Sequence, residues 1–190
     1  MKKLILVMLC LAFVAGVCVD FTFSAEKSSI VGKEAYTRTN LKADGAEIYF
    51  HNMAKIGKIT IPIGTTVVII GESKKYITFY LANDGKKKKY KLNVPASSYN
   101  KYFIEEIAPT VTQYKKDAIG DMRVSSSMTK QEVYMSRGCP AWVALGKKSY
   151  FCTLTQIMDS DSWFYNLDKK NGEMIVHFKN GSVSNIEKLK

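Results

Sequence analysis

Short runs of β-branched and aromatic residues, separated by tight-turn signals, restrict the fold of this chain more than any other feature. Residues 60–70 form one such run, and residues 76–81 and 86–92 form two more on either side of Asp84-Gly85. An Asp-Gly pair readily adopts the positive φ that a tight hairpin needs, so a strand, a turn and a strand are predicted there. No helical period competes. Residues 35–95 are therefore predicted to form a small β domain, either an SH3-like barrel or a bent sheet.

The following segment carries helical signals instead. Aromatic and aliphatic residues recur at helical spacing from Tyr99 to Ile107, which predicts a helix over 99–108 that Pro109 ends. A second helix begins at Thr129, where Thr129 and Glu132 have the spacing of a capping box. Gly138 is its expected last residue, with Pro140 just beyond.

The C-terminal part is predicted to return to sheet. Strands are expected over 163–167, 173–179 and 182–186, the last two joined by an Asn180-Gly181 hairpin turn. Alternation along the middle strand places Met174, Val176 and Phe178 on one face, which is expected to pack on the two helices. Residues 97–190 are therefore predicted to be an α+β module, with two helices followed by a three-strand antiparallel meander.

The N-terminus has the pattern of an export signal. Lys2 and Lys3 precede an apolar run over residues 4–19, which is too short for a membrane-spanning helix and typical of a secretory signal. Residues 1–25 are predicted to be this signal, either cleaved or retained as an anchor. Lipidation at Cys18 is disfavoured because Val17 stands where Gly or Ala is expected. The sequence thus predicts an exported protein.

Two cysteines remain after the signal, Cys139 and Cys152. An even pair in an exported protein predicts a disulfide, and two buried free thiols are the alternative. A thiol-dependent enzyme or redox protein is a further alternative, although Cys139 follows a helix C-terminus, whose dipole disfavours a thiolate. No metal site or cofactor is predicted, because His51 and His177 are the only histidines. The sequence also lacks a catalytic serine motif and a phosphate-binding glycine loop, so a non-enzymatic protein is predicted.

The chain is strongly basic, with 28 Lys and Arg against 17 Asp and Glu. The excess is concentrated in residues 26–96, which hold 13 basic and 6 acidic residues, whereas 97–190 hold 13 and 10. The lysine run consists of Lys86, Lys87, Lys88 and Lys89, and Lys74 and Lys75 are expected close to it. It is a candidate contact for anionic lipid or glycan. The alternative is a solvated hairpin whose lysines protect a sheet edge. Nucleic acid is not a predicted partner of an exported chain.

Aromatic residues divide between core and surface. Trp163 and Tyr165 alternate onto one strand face and are expected in the core. Trp142 lies in a segment between the two cysteines, where an exposed Trp would be a contact anchor for a partner. The alternative is a lid over the helix pair.

The second half resembles a known family. The matching segments are residues 128–133, Gly138-Cys139-Pro140, residues 163–165 and 176–178, and residues 180–183. Their order and spacing resemble the BamE family, also called SmpA/OmlA, over about residues 125–188. Ser127 departs from the glycine usual there, and the insert over 141–162 is long. The resemblance implies a non-enzymatic envelope protein at the periplasm or outer-membrane periphery, with a scaffolding or protein-binding role and an envelope protein as its partner.

Overall fold

A computed structural model describes residues 29–49, 59–106, 113–144, 146–166 and 172–189. The predicted export signal, residues 1–25, lies outside these ranges. Strands make up 43% of the structure and helices are few, which confirms the predicted mixed α+β class. Within the described ranges, no helix has the length and apolar character needed to cross a membrane.

Eight short strands form a curled first sheet. Its order is β4-β2-β3-β7-β6-β5-β1-β8, in which every neighbouring pair is antiparallel except β3 with β7. The strands are β1 (Glu34–Thr37), β2 (Leu41–Asp44), β3 (Glu47–Tyr49), β4 (Ile59–Ile61), β5 (Thr66–Glu72), β6 (Ile77–Leu81), β7 (Lys89–Asn93) and β8 (Phe103–Ile104).

Side-chain alternation places one face of this sheet in the core. On β6, Ile77 and Phe79 are buried while Thr78 and Tyr80 are half-exposed. The rings of Phe79 and Tyr90 stack across β6 and β7, with centroids 5.8 Å apart. Such cross-strand aromatic pairs stabilise antiparallel strands, so the hydrophobic pattern of residues 76–92 and its pairing agree.

The prediction of a helix over 99–108 is largely wrong. A 3₁₀ turn (Ala96–Ser98) leads into helix α1 (Tyr99–Tyr102), after which Phe103 is extended and β8 pairs with β1. The Phe103 ring lies 5.3 Å from the Phe79 ring and 5.4 Å from the Tyr99 ring. Pairing with β1 and burial against Phe79 therefore determine the backbone of Phe103. This segment, predicted to belong to the second module, is part of the first sheet.

The second predicted helix is confirmed. Helix α3 (Lys130–Arg137) begins after Thr129, whose hydroxyl accepts from the Glu132 N–H while the Glu132 carboxylate accepts from the Thr129 N–H. It ends at Gly138, whose φ of 77° lies in the left-handed region that glycine favours. A further helix, α2 (Gln113–Gly120), precedes it.

A five-stranded antiparallel second sheet completes the fold, in the order β10-β9-β11-β12-β13. Its last three strands form the predicted meander, and Asn180 and Gly181 both have positive φ in its second turn. The 141–162 insert adds a hairpin, a 3₁₀ turn (Ser149–Phe151) and helix α4 (Leu154–Asp159). The strands are β9 (Trp142–Val143), β10 (Lys147–Lys148), β11 (Ser162–Asn166), β12 (Glu173–Lys179) and β13 (Ser182–Leu189).

Trp163 lies at the centre of the core beneath this sheet. Its ring contacts Phe178, at a centroid distance of 4.7 Å, and Tyr134 of α3, at 6.0 Å. The Trp163 indole N–H donates to the Ile157 carbonyl at 2.9 Å. The helices α3 and α4 therefore pack on the face of the second sheet that carries Trp163.

A buried polar connection joins the first sheet to the helices. The Asn40 amide donates to the carbonyls of Ile119 and Ser136, and its oxygen accepts from the Ile63 N–H. The Asn40 N–H also donates to the Met135 carbonyl. Buried apolar residues from both sheets form one continuous hydrophobic core across this connection.

Candidate interaction site on the second sheet

The outer face of the second sheet, opposite the helices, carries a row of apolar side chains. Trp142 on β9 lies opposite Phe164 on β11, which lies opposite Ile175 on β12. Trp142 is 37% exposed, and Phe164 and Ile175 are half-exposed. Pairing extends the row to Lys148 at one end and Glu187 at the other. We call Trp142, Phe164 and Ile175 the apolar row.

A groove of about 360 Å³ opens beside this row. Trp142 and Phe164 form its aromatic wall, and Asn166 and Glu173 supply its polar side chains. The Lys148 ammonium lies 5.2 Å from the centroid of the Trp142 ring, within the range of a cation–π contact. The groove is thus aromatic on one side and carries a carboxylate on the other.

The position of Trp142 on the outer face excludes the alternative role of a lid over the helix pair. Its neighbour Val143 is buried on the inner side with Trp163, whereas Trp142 is on the opposite side of the sheet. Trp142 therefore does not form a lid over the helix pair. Its exposure is compatible with the alternative role of partner contact.

A second arrangement on the same face was not foreseen from the sequence. The Ser162 hydroxyl lies 2.9 Å from His177 Nδ1, and His177 Nε2 lies 3.0 Å from a Glu187 carboxylate oxygen. This is the connectivity of a catalytic triad. An acyl-transfer site also needs donors for an oxyanion, and backbone N–H groups of a paired strand serve the sheet ladder instead. These contacts orient His177 across three strands of the sheet.

Cys139 and Cys152 are buried free thiols, so the structure does not contain the predicted disulfide, which remains a prediction of the sequence. Cys139 is 1% exposed, and burial raises the pKa of its thiol to about 11, although the nearby Lys101 ammonium acts in the opposite direction. Lys101 is itself buried and donates to the carbonyls of Ser149 and Tyr150 at 2.9 and 3.2 Å. A thiol with a raised pKa is a poor nucleophile at neutral pH. This environment therefore disfavours thiol catalysis by Cys139.

Cys152 differs in its access to solvent. It is 7% exposed and lines a separate groove of about 380 Å³ together with Asp159 and Asp161. A small reagent can therefore approach Cys152 more easily than Cys139. Within the described ranges, no group of three or more His, Cys, Asp or Glu side chains is arranged to hold a metal ion.

The lysine run lies at the turn between β6 and β7. Lys86, Lys87 and Lys89 are exposed, while the Lys88 ammonium lies 5.1 Å from the Tyr90 ring centroid. The Asp84 carboxylate accepts hydrogen bonds from two backbone N–H groups of this turn and fixes its shape.

The prediction that Lys74 and Lys75 lie close to the lysine run is wrong. They occupy the turn between β5 and β6, at the opposite end of β6 from the lysine run. Five extended residues separate the two turns, a length of roughly 17 Å. The basic side chains therefore form two separate exposed groups.

Sequence reasoning identified Trp142 but missed its partners Phe164 and Glu173. The alternation that places Trp163 and Tyr165 in the core does put Phe164 on the outer face, so this signal was available. The pairing of β9 with β11, which brings Phe164 to Trp142, has no local signal.

Comparison of the chain with family models, curated proteins and solved structures finds no match.

Proposed function

We propose that this is an exported, non-enzymatic envelope protein that binds another protein through the outer face of its second sheet. The exposed apolar row beside a groove carries the proposal, since exposed aromatic side chains next to a concavity are typical of contact anchors. The resemblance of residues 125–188 to the BamE family supports a scaffolding or binding role at the periplasm or outer-membrane periphery. We also propose that the first sheet is similar to SH3-like domains and that α3 with the meander is similar to BamE.

The alternation of the second sheet explains why this face would be the binding face. The inner face is filled by Trp163, Tyr165 and Phe178 under the helices, so it has no capacity for a partner. On the outer face, burying the apolar row would remove apolar area from water, which stabilises a complex by about 25 cal/mol per Å². A Trp at the centre of such a contact is commonly a residue whose loss weakens binding by 2 kcal/mol or more.

The experiment is in-cell photocrosslinking from position 142 of the full chain, with mass spectrometry of the captured material. Position 131, an exposed residue on helix α3, is the matched control. Capture of one defined envelope protein from position 142 and not from 131 would support the proposal. Equal capture from both positions, or recovery of the chain in a cytosolic fraction, would contradict it.

A second candidate function is binding of anionic lipid or glycan by the lysine run. The observation that favours it is the exposure of Lys86, Lys87 and Lys89 at one turn. The structure offers a matched control, because Lys74 and Lys75 occupy the other end of β6. Binding to vesicles containing anionic lipid should weaken with salt and fall in K86Q/K87Q but not in K74Q/K75Q. An equal fall in both double variants would indicate only general charge attraction.

A further inference from the structure

The Trp142 ring, which forms part of the groove wall, already contacts one cation of the protein itself. The Lys148 ammonium lies 5.2 Å from the Trp142 ring centroid, and β10 places Lys148 directly opposite Trp142. The face of an indole ring attracts cations through its quadrupole. Lys148 therefore shows which kind of charge the aromatic wall accepts.

The charged side chains around the groove also favour a cationic ligand. Glu173 lines the groove and is exposed, and with the residues that the structure describes it forms no ion pair. Among the residues that the structure describes, the outer face also carries Glu187 and Lys179, and Lys179 is at the far end of β12 from Glu173. The chain as a whole has a formal charge of +11, but on this face the described lysines, Lys148 and Lys179, are balanced by Glu173 and Glu187, and the groove has an available carboxylate.

We propose that the groove takes a cationic side chain, arginine in preference to lysine, from an extended segment of the partner protein. The guanidinium displaces Lys148 from the ring of Trp142 and pairs with Glu173. Arginine suits the site better than lysine because its planar group stacks on aromatic rings and is more weakly hydrated. This inference rests on the proposed function and specifies the chemistry of the partner.

Tryptophan fluorescence gives a direct measurement. Trp163 is fully buried with its indole N–H bonded inside the core, so Trp142 is the tryptophan that reports on the groove. The probe is the blocked peptide acetyl-Ala-Arg-Ala-amide, titrated into the full chain, with the citrulline peptide as an uncharged twin. We expect a saturable change with the arginine peptide and at least about fivefold weaker binding of the citrulline peptide. Equal binding of the two peptides would overturn the proposal.

The sign of two charge effects provides a stricter test. Lys148→Met removes the resident cation and keeps an apolar stem, so the arginine peptide should bind about threefold or more tightly. Glu173→Gln removes the counter-charge and should weaken it by a similar factor. Lys179→Met, on the same face but distant from the groove, is the control and should change the affinity by less than twofold. Weaker binding of the arginine peptide to Lys148→Met and tighter binding to Glu173→Gln would mean that the groove prefers an anion and would overturn the proposal.

Failure of this inference is separable from failure of the proposed function. If position 142 captures a defined envelope protein but the two variants change the affinity for the arginine peptide in the reverse directions, protein binding is supported and the arginine specificity is refuted. If position 142 captures nothing specific while the arginine peptide still binds with the expected signs, the groove is a cation site and the protein-binding function falls. Thermal unfolding of each variant, compared with the parent chain, identifies any change that comes from loss of fold.

Discussion

The thiol of Cys139 should react very slowly with alkylating reagents in the folded protein. Its pKa is raised to about 11 by burial, from an ordinary value of 9.0. At pH 8 this corresponds to a thiolate fraction of about 0.1%, against about 10% for an unperturbed thiol. The chemical effect alone is therefore about a hundredfold in rate, and the 1% exposure of Cys139 slows the reaction further.

The assay is a time course of iodoacetamide labelling at pH 8, followed residue by residue with mass spectrometry. The protein is first reduced and then studied folded and in urea. Cys152 is the internal comparison, because it lines an open groove and should be labelled faster than Cys139 in the folded state. We expect Cys139 to react at least about a hundredfold more slowly folded than unfolded.

Two results would be informative in other ways. A folded rate for Cys139 within tenfold of its unfolded rate would refute the reasoning from burial and would revive the thiol-dependent enzyme. In a parallel sample that is never reduced, the absence of labelling at both cysteines in urea would show that the predicted disulfide forms in the protein.

Three further predictions concern stability and are measured by urea unfolding. Because burial raises the pKa of Cys139, its contribution to the free energy of unfolding is fully present below about pH 9 and is lost as the pH rises to about 11. This is a fall of about 2–3 kcal/mol that Cys139→Ala should remove, and an unchanged alkaline slope in the variant would contradict the assignment. The lowered pKa of Lys101 changes stability in the opposite direction over the alkaline range. Thr129→Ala should lower the free energy of unfolding by about 1 kcal/mol through loss of the helix cap, whereas Thr129→Ser should retain most of it. Asn40→Ala removes the acceptor of the Ile63 N–H and one donor from each of the Ile119 and Ser136 carbonyls, and should cost about 2–4 kcal/mol. A loss below about 0.5 kcal/mol would mean that solvent reaches this connection.

Local signals were sufficient for several elements. The capping box at Thr129 and the glycine at 138 predicted helix α3, because a helix terminus is stabilised by side-chain and backbone bonds only a few residues apart. The Asn180-Gly181 turn was likewise predicted, since its backbone conformation depends on the φ preferences of those two residues. The alternation that buried Trp163 and exposed its neighbours followed from the two-residue period of a strand.

The same reasoning failed where distant contacts determine the conformation. The aromatic spacing around Phe103 fits a helix, but pairing with β1 and packing against Phe79 make it extended. The hairpin of the 141–162 insert was not foreseen. Helix α4 was missed for a different reason, since Thr153 and Gln156 form a capping box, a local signal that the prediction overlooked. The separation of Lys75 from the lysine run depends on which end of β6 each turn occupies.

The sequence by itself therefore determined the mixed α+β class, the main capping and turn positions, and the exposure of residues along individual strands. Only the tertiary structure decided which exposed residues meet. Trp142, Phe164 and Glu173 line one groove because β9 pairs with β11 and β11 with β12. Strand register is set by packing of the whole sheet on its core. For that reason the strand pairing that assembles the candidate site has no local signature in the chain.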